Sequence, residues 1–81
     1  MIKVLFFAQI RELLDCGSLE IEGDFTTVEA LRLSLLEKGD KWALALDAEK
    51  LLVAVNQEIT TLTAAIKAGD EVAFFPPVTG G

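Results

Sequence analysis

The segment that decides the fold lies at the carboxyl end of the sequence and reads Gly69-Asp70-Glu71-Val72-Ala73-Phe74-Phe75-Pro76-Pro77-Val78-Thr79-Gly80-Gly81. Gly69-Asp70 predicts a turn, and the apolar run after it predicts a strand over residues 71–75. Pro76-Pro77 ends that strand, because proline cannot donate a hydrogen bond to a neighbouring strand. The sequence therefore predicts a folded domain over residues 1–75 and an extended tail over residues 76–81.

Gly80 and Gly81 give this tail a narrow end, because glycine has no Cβ and accepts almost any backbone conformation. The six residues from Pro76 to Gly81 reach at most roughly 20 Å when fully extended. Such a tail suits a terminal carboxylate that is itself the working group. The plain alternatives are a terminus that frays and glycines left over from cloning, and the glycines alone do not decide between them.

The remaining elements are predicted from the periodicity of the hydrophobic residues and from the turn-forming residues between the periodic stretches. Strands are predicted over residues 2–8, 18–22, 51–55 and near 59–60, and a helical turn over residues 9–14. A main helix is predicted over residues 27–38, with a capping box at Thr26–Glu29 and Gly39 just after its end. We expect Trp42, Leu44 and Leu46 to cover one end of the core.

The element order β-β-α-β-β-β predicts an α+β domain in which one helix packs on a single face of a sheet. The period of two along a strand then assigns the faces. Val72 and Phe74 share the core face, while Phe75 shares the open face with the charged Glu71. Lys3 marks the open face of the first strand, and Phe7 is on that same face.

Phe7 and Phe75 form one apolar patch beside the tail if the first and last strands are neighbours. The alternative is that both rings belong to the core and that the assigned register is shifted by one residue. The sequence alone leaves both open.

Composition points to a protein partner. Of the 81 residues, 52% are hydrophobic, more than so small an interior holds, and an exposed apolar patch is most often a protein–protein site. The formal net charge is −6, from 13 acidic and 7 basic residues. That charge disfavours nucleic acid and anionic membrane surfaces, and it favours a basic protein partner.

Cysteine and histidine usage excludes several kinds of chemistry. Cys16 is the only cysteine and there is no histidine, so an intrachain disulfide and zinc-type ligand sets are both excluded. Cys16 has no evident cationic neighbour that would make its thiol reactive. Gln9, Arg11 and Glu12 interrupt the apolar start too early for a signal peptide or a membrane span, so we expect a cytoplasmic protein.

Residues 69–81 resemble the C-terminus of the small subunit of molybdopterin synthase, and three other stretches extend the resemblance over most of the chain. These are residues 3–8 followed by Arg11-Glu12, residues 40–46, and Ala54-Val55-Asn56-Gln57. The resemblance implies a ubiquitin-like β-grasp fold, with a mixed sheet and one main helix packed on one face.

The resemblance also implies a reaction cycle. In this family an activating enzyme of the ubiquitin-activating (E1) type uses ATP to adenylate the terminal glycine, and sulfur then replaces one oxygen to give a thiocarboxylate. The tail next enters the large subunit of molybdopterin synthase and donates its sulfur to the cyclic pyranopterin monophosphate, forming the dithiolene. The implied assembly is a heterotetramer of two small and two large subunits.

The residue roles implied by the resemblance are as follows. Gly81 carries the sulfur, Gly80 keeps the tail narrow, and an extended lead-in is formed by Pro76, Pro77, Val78 and Thr79. The docking face comprises Phe7 and Phe75, with Leu52 and Ile59. No residues in the sequence look like a catalytic acid, a catalytic base or a metal ligand set, and we expect no bound cofactor. We therefore expect a carrier and co-substrate rather than an enzyme on its own.

Two alternatives remain open. The first is a sulfur carrier for thiamine thiazole or tRNA thiolation, against which residues 74–79 and the Trp42 segment argue. The second is a β-grasp binding module with an inert terminus.

Overall fold

A computed structural model describes residues 1–77 of the chain. Its elements, in chain order, are β1 (Ile2–Phe6), α1 (Ala8–Leu14), β2 (Ser18–Ile21), α2 (Val28–Leu36), α3 (Asp40–Ala45), a 3₁₀ turn (Ala48–Lys50), β3 (Leu52–Val55), β4 (Glu58–Thr60) and β5 (Glu71–Phe75). The predicted strands and main helix are all present, and β5 has the predicted bounds. The predicted tail residues Val78, Thr79, Gly80 and Gly81 lie outside the described residues.

The strands form one mixed sheet with the order β2-β1-β5-β3-β4. β1 and β5 are parallel neighbours at its centre, and the other pairs are antiparallel. Parallel neighbours require a crossover connection, and α2 lies within it and covers one face. This arrangement is the β-grasp, so the predicted α+β class, with one main helix on one face, is confirmed.

The core lies between this covered face and the helices. Along β1 and β5 every second side chain is buried, as the period of two predicts. Phe6 and Phe74 stack at 6.1 Å between ring centroids, and the Trp42 ring meets Phe6 edge-on at 5.6 Å. The fully buried side chains come from β1, from β5, from α2 and from the residue after α3. They include Ile2, Val4, Phe6, Val28, Leu31, Leu35, Leu46, Val72 and Phe74.

The start of α2 differs by one residue from the predicted capping box. Thr27, rather than Thr26, is the N-cap, and its Oγ1 accepts a hydrogen bond from the Ala30 N–H at 3.1 Å. Glu29 does not reach back to the cap, because its carboxylate pairs with Arg32, which lies three residues on along the same helix face.

Arg32 joins α2 to the end of α3. Its Nη1 donates to the Leu46 carbonyl at 2.8 Å, and its Nη2 donates to Glu29 at 2.9 Å. The hydrogen bonds between these two side chains lower the pKa of Glu29 and raise the pKa of Arg32. Arg32 therefore links α2 to the residue that follows α3, and Glu29 binds the same guanidinium from within α2.

Two predictions around α3 need correction. Gly39 does not follow α2 directly as its C′ residue, because α2 ends at Leu36 with a right-handed cap at Glu37; Gly39 is instead the N-cap of α3, with φ +148°. Trp42 packs on the core and Leu46 is fully buried, as predicted, but Leu44 is 70% exposed. Trp42 and Leu46 are four residues apart, so their side chains lie on the same face of the helix. Leu44 is two residues from each of them, so its side chain lies on the opposite face and points to solvent.

Candidate functional site

The open face of the sheet, opposite α2, brings the four predicted docking residues together. Phe6 pairs with Phe74, so Phe7 and Phe75, each one residue further along these parallel strands, are neighbours. Phe75 in turn pairs with Leu52 of β3. Phe7, Phe75 and Leu52 thus form one row across the sheet, named here the tail-side row because β5 ends in it.

Phe7 holds its place in this row through the backbone. It is extended (φ −126°, ψ 155°), so its ring points to the face opposite Phe6, and its N–H donates to the Phe74 carbonyl at 3.2 Å. The next residue, Ala8, has φ +53° and turns the chain into α1. This left-handed conformation is uncommon for a residue with a Cβ, and sequence patterning gave no signal for it.

Burial decides between the two alternatives for these rings. Phe7 is 45% exposed and Phe75 is half-buried, whereas Phe6 and Phe74 are buried in the core. The assignment of Phe7 and Phe75 to the open face is therefore confirmed, and the shifted register is wrong. Their part in docking stays a prediction.

A second row extends the apolar surface away from the tail. Leu5 pairs with Ala73, Ala73 with Ala54, and Ala54 with Ile59. The two alanines make a shallow floor between the larger side chains, and Ile59 is 69% exposed at the edge. Ile59 therefore lies on the same face as the tail-side row but belongs to the second row, which is further from the tail along the strands.

Charged side chains form the third row of the open face. Lys3 pairs with Glu20 on one side and with Glu71 on the other. The open face is thus polar at the end remote from the tail and apolar at the end where the tail begins. The tail root, Pro76–Pro77, therefore begins at the apolar end of this face.

The tail root, Pro76–Pro77, continues directly from this apolar end. Pro76 is half-buried and Pro77 is exposed. Proline fixes φ near −65°, so this pair limits the directions in which the chain leaves the sheet. The predicted sulfur-carrying residue, Gly81, and its neighbours Val78, Thr79 and Gly80 lie outside the described residues.

A polar clamp secures the opposite end of β5. The Asn56 side chain accepts from the Glu71 N–H at 3.0 Å and donates to Asp70 Oδ1 at 3.2 Å. Asp70 Oδ2 accepts from the Lys67 N–H at 2.9 Å. The hydrogen bonds from Asn56 and from the Lys67 backbone lower the pKa of Asp70. The clamp ties β5 to the turn between β3 and β4.

Other chemistry is sparse in residues 1–77. Among these residues, no group of three or more His, Cys, Asp or Glu side chains could hold a metal ion. The half-buried Cys16 thiol donates to the Ser18 carbonyl at 3.3 Å. Across the same range, every helix is too short or too polar to cross a bilayer.

Comparisons with known proteins agree with this geometry. Residues 4–81 match the ThiS family. The chain is 60% identical to the molybdopterin synthase sulfur carrier subunit of Haemophilus influenzae and 58% identical to that of Escherichia coli K12, with all of each chain covered. The structure also matches a chain in the complex of subunits 1 and 2 of molybdopterin-converting factor from Helicobacter pylori, with TM-score 0.67, 26% identity, and 99% of this chain and 97% of that chain covered.

These matches first define a class, the small β-grasp sulfur carriers. The chain belongs to the ThiS family and, within it, to the molybdopterin synthase sulfur carrier subunits. The family resemblance stated from residues 69–81 is therefore confirmed.

Proposed function

We propose that Gly81 of this chain carries sulfur as a C-terminal thiocarboxylate and delivers it for the synthesis of the molybdopterin dithiolene. The observation that carries the proposal is the course of β5. This strand runs through the centre of the sheet and ends in the apolar tail-side row, where Pro76–Pro77 leads out of the domain. The surface that would hold a partner and the segment that would enter it thus begin at the same place.

The first stage activates the carboxylate, which is ionised near neutrality and is a poor electrophile. A carboxylate oxygen attacks the α-phosphorus of ATP on a ubiquitin-activating (E1) type enzyme, and pyrophosphate leaves. The terminal sulfur of a persulfide then attacks the acyl carbon and displaces AMP. A thiol cleaves the resulting acyl disulfide and leaves the thiocarboxylate.

The second stage takes place in the large subunit of molybdopterin synthase. The thiocarboxylate sulfur attacks a carbon of the cyclic pyranopterin monophosphate. A C–S bond forms as a C–O bond of that carbon breaks, the oxygen leaves with its electron pair, and the product is a thioester. Water hydrolyses the thioester, so the sulfur stays on the pterin and Gly81 returns to the carboxylate. Two such transfers supply the two sulfurs of the dithiolene.

The large subunit supplies the active site in this scheme, and the chain described here is the carrier. Support comes from the subunit 1 and 2 complex that the fold matches and from the apolar open face. We propose a heterotetramer of two small and two large subunits working in the cytoplasm, where ATP is available. The molar mass of the purified complex in solution tests this stoichiometry.

Removal of Gly80–Gly81 tests the carrier chemistry. We expect the truncated chain to melt at the same temperature as the full chain, because it keeps all the core side chains found in residues 1–77, from Ile2 to Phe74. Sulfur transfer to the pterin should be abolished. The matched control is the full chain purified without the activating enzyme, which carries an unmodified carboxylate and should also be inactive.

Intact-mass measurement supplies the decisive readout. After incubation with the activating enzyme, ATP and a persulfide donor, the full chain should gain the mass of an oxygen-to-sulfur exchange. If only the unmodified mass is ever found, or if the truncated chain still transfers sulfur, the terminus is inert. Retention by a thiazole synthase rather than by the large subunit would assign the chain to another sulfur pathway.

A further inference from the structure

A second apolar surface lies on the other side of the tail root from the open face. It is a groove of about 590 Å³ between α1, α3 and the tail root. We name it the helix-side groove, and its walls include Ala8, Leu13, Leu44, Ala45, Pro76 and Pro77. Leu13 is 40% exposed and Leu44 is 70% exposed, so large apolar side chains are open to water here.

The groove is continuous with the open face at two points of the chain. Phe7 points to the open face, and the left-handed turn at Ala8 carries the very next residue into the groove wall. Phe75 likewise lies in the tail-side row, and Pro76 lies in the groove wall. Apolar surface therefore flanks the tail root on both sides.

We propose that the helix-side groove is a second part of the docking surface and receives an apolar segment from the rim of the large subunit's active-site pocket. This inference rests on the proposed function. In the proposed function the reacting group is on Gly81, four residues after Pro77, and four residues span at most roughly 14 Å. A partner whose pocket takes in so short a tail must approach the tail root closely.

Such an approach brings the pocket rim against whatever surrounds the root. On one side it meets Phe7, Phe75 and Leu52, and on the other it meets Leu13 and Leu44. Burying both sides removes two apolar surfaces from water, which is the main source of affinity in close protein contacts.

Leu13→Gln and Leu44→Gln, separately and together, test the proposal. Both positions are on exposed helix faces, where glutamine is a good helix former, so the fold should remain intact. Leu33→Gln is the matched control, because Leu33 is 50% exposed but lies on α2, outside the groove. Titration calorimetry of each full-length variant against the purified large subunit gives the dissociation constant.

We expect each groove variant to bind about tenfold more weakly than the unmodified chain, since each removes apolar area that docking buries. Leu33→Gln should bind within about twofold of the unmodified chain, as expected for a position outside the interface. The thiocarboxylate should still form on the groove variants, and at saturating large subunit they should still transfer sulfur.

Other outcomes overturn the inference. Equal affinity for the groove variants, or an equal loss for Leu33→Gln, removes the groove from the interface. A self-association of the carrier that Leu44→Gln abolishes, with unchanged affinity for the large subunit, would assign the groove to a second copy. If the unmodified chain itself neither binds the large subunit nor transfers sulfur, the proposed function fails as well, so the two failures are distinguishable.

Discussion

Phe74 and Phe75 are adjacent in β5, yet they serve the two faces of the sheet. Phe74 is fully buried, stacks on Phe6 and belongs to the core. Phe75 is half-buried on the open face, beside Phe7 and Leu52. The same side chain therefore stabilises the fold at one position and leaves apolar surface available at the next.

The cause of this difference is the placement of the helices. The helices lie over the covered face, where buried side chains of α1 and α2 fill the core and Trp42 of α3 packs against it. The open face has no such layer in residues 1–77, although its central residues are Leu5, Ala54 and Ala73. An apolar face without a covering layer indicates a partner surface, because such patches on small proteins are mostly interaction sites.

Truncation of Phe74 should have the largest effect. We expect Phe74→Ala to lower the free energy of unfolding by about 3–5 kcal/mol, because it removes a large side chain and leaves a cavity. Phe75→Ala, the same chemical change one residue on, should cost about 1 kcal/mol. Urea denaturation followed by circular dichroism measures both. Equal losses at the two positions would contradict the distinction between the faces.

Charge on the open face should affect binding instead. We expect Phe75→Asp or Phe7→Asp to weaken binding to the large subunit by about 2 kcal/mol or more, since aromatic side chains near an interface centre carry much of the affinity. The free energy of unfolding should fall by only about 1 kcal/mol, the loss expected for Phe75→Ala. Titration against the purified large subunit measures the affinity.

Leu33→Asp provides the control for those two variants, because it places the same charge on an exposed apolar position of α2. Its affinity should equal that of the unmodified chain. Unchanged affinity for the two aspartate variants would remove the tail-side row from the interface. A large loss of stability would show that their rings support the fold.

The two faces of β1 and β5 could be predicted from sequence because a charged residue marks each strand. Lys3 and Glu71 cannot be buried cheaply, so they identify the open face, and Phe7 and Phe75 follow by the period of two. The order of the strands along the chain followed from the turn residues Gly23-Asp24 and Gly69-Asp70. The main helix followed from its hydrophobic periodicity and from the hydroxyl cap signal before Val28. The sulfur chemistry came only from the resemblance of residues 69–81.

The features that sequence reasoning missed depend on how the helices pack. Leu13 and Leu14 are adjacent, and only the packing of α1 shows that Leu14 is buried and Leu13 exposed. The sequence pattern grouped Leu44 with Trp42 and Leu46 as core residues. The bounds of α3 place Leu44 on the opposite helix face from those two side chains. The left-handed conformation of Ala8 has no sequence signal, since glycine or asparagine is the usual choice there.

The smallest effect should come from the polar clamp of Asn56 and Asp70 at the start of β5. Hydrogen bonds from Asn56 and the Lys67 backbone lower the pKa of Asp70 below its unfolded value. Its contribution to stability is therefore present above about pH 4, the ordinary aspartate range, and is lost as the pH falls through the lowered value. Asp70→Asn should destabilise the chain at pH 7, and the difference from the unmodified chain should vanish in acid.

Melting temperatures across a pH series measure this difference. Asp24→Asn is the matched control, because Asp24 is exposed in the loop between β2 and α2, and its substitution changes the net charge by the same amount. A pH-dependent difference for Asp70→Asn alone would assign it to the clamp rather than to general charge repulsion. An equal response from both variants, or a loss that persists in acid, would show that the ionised Asp70 carboxylate does not hold β5 in place.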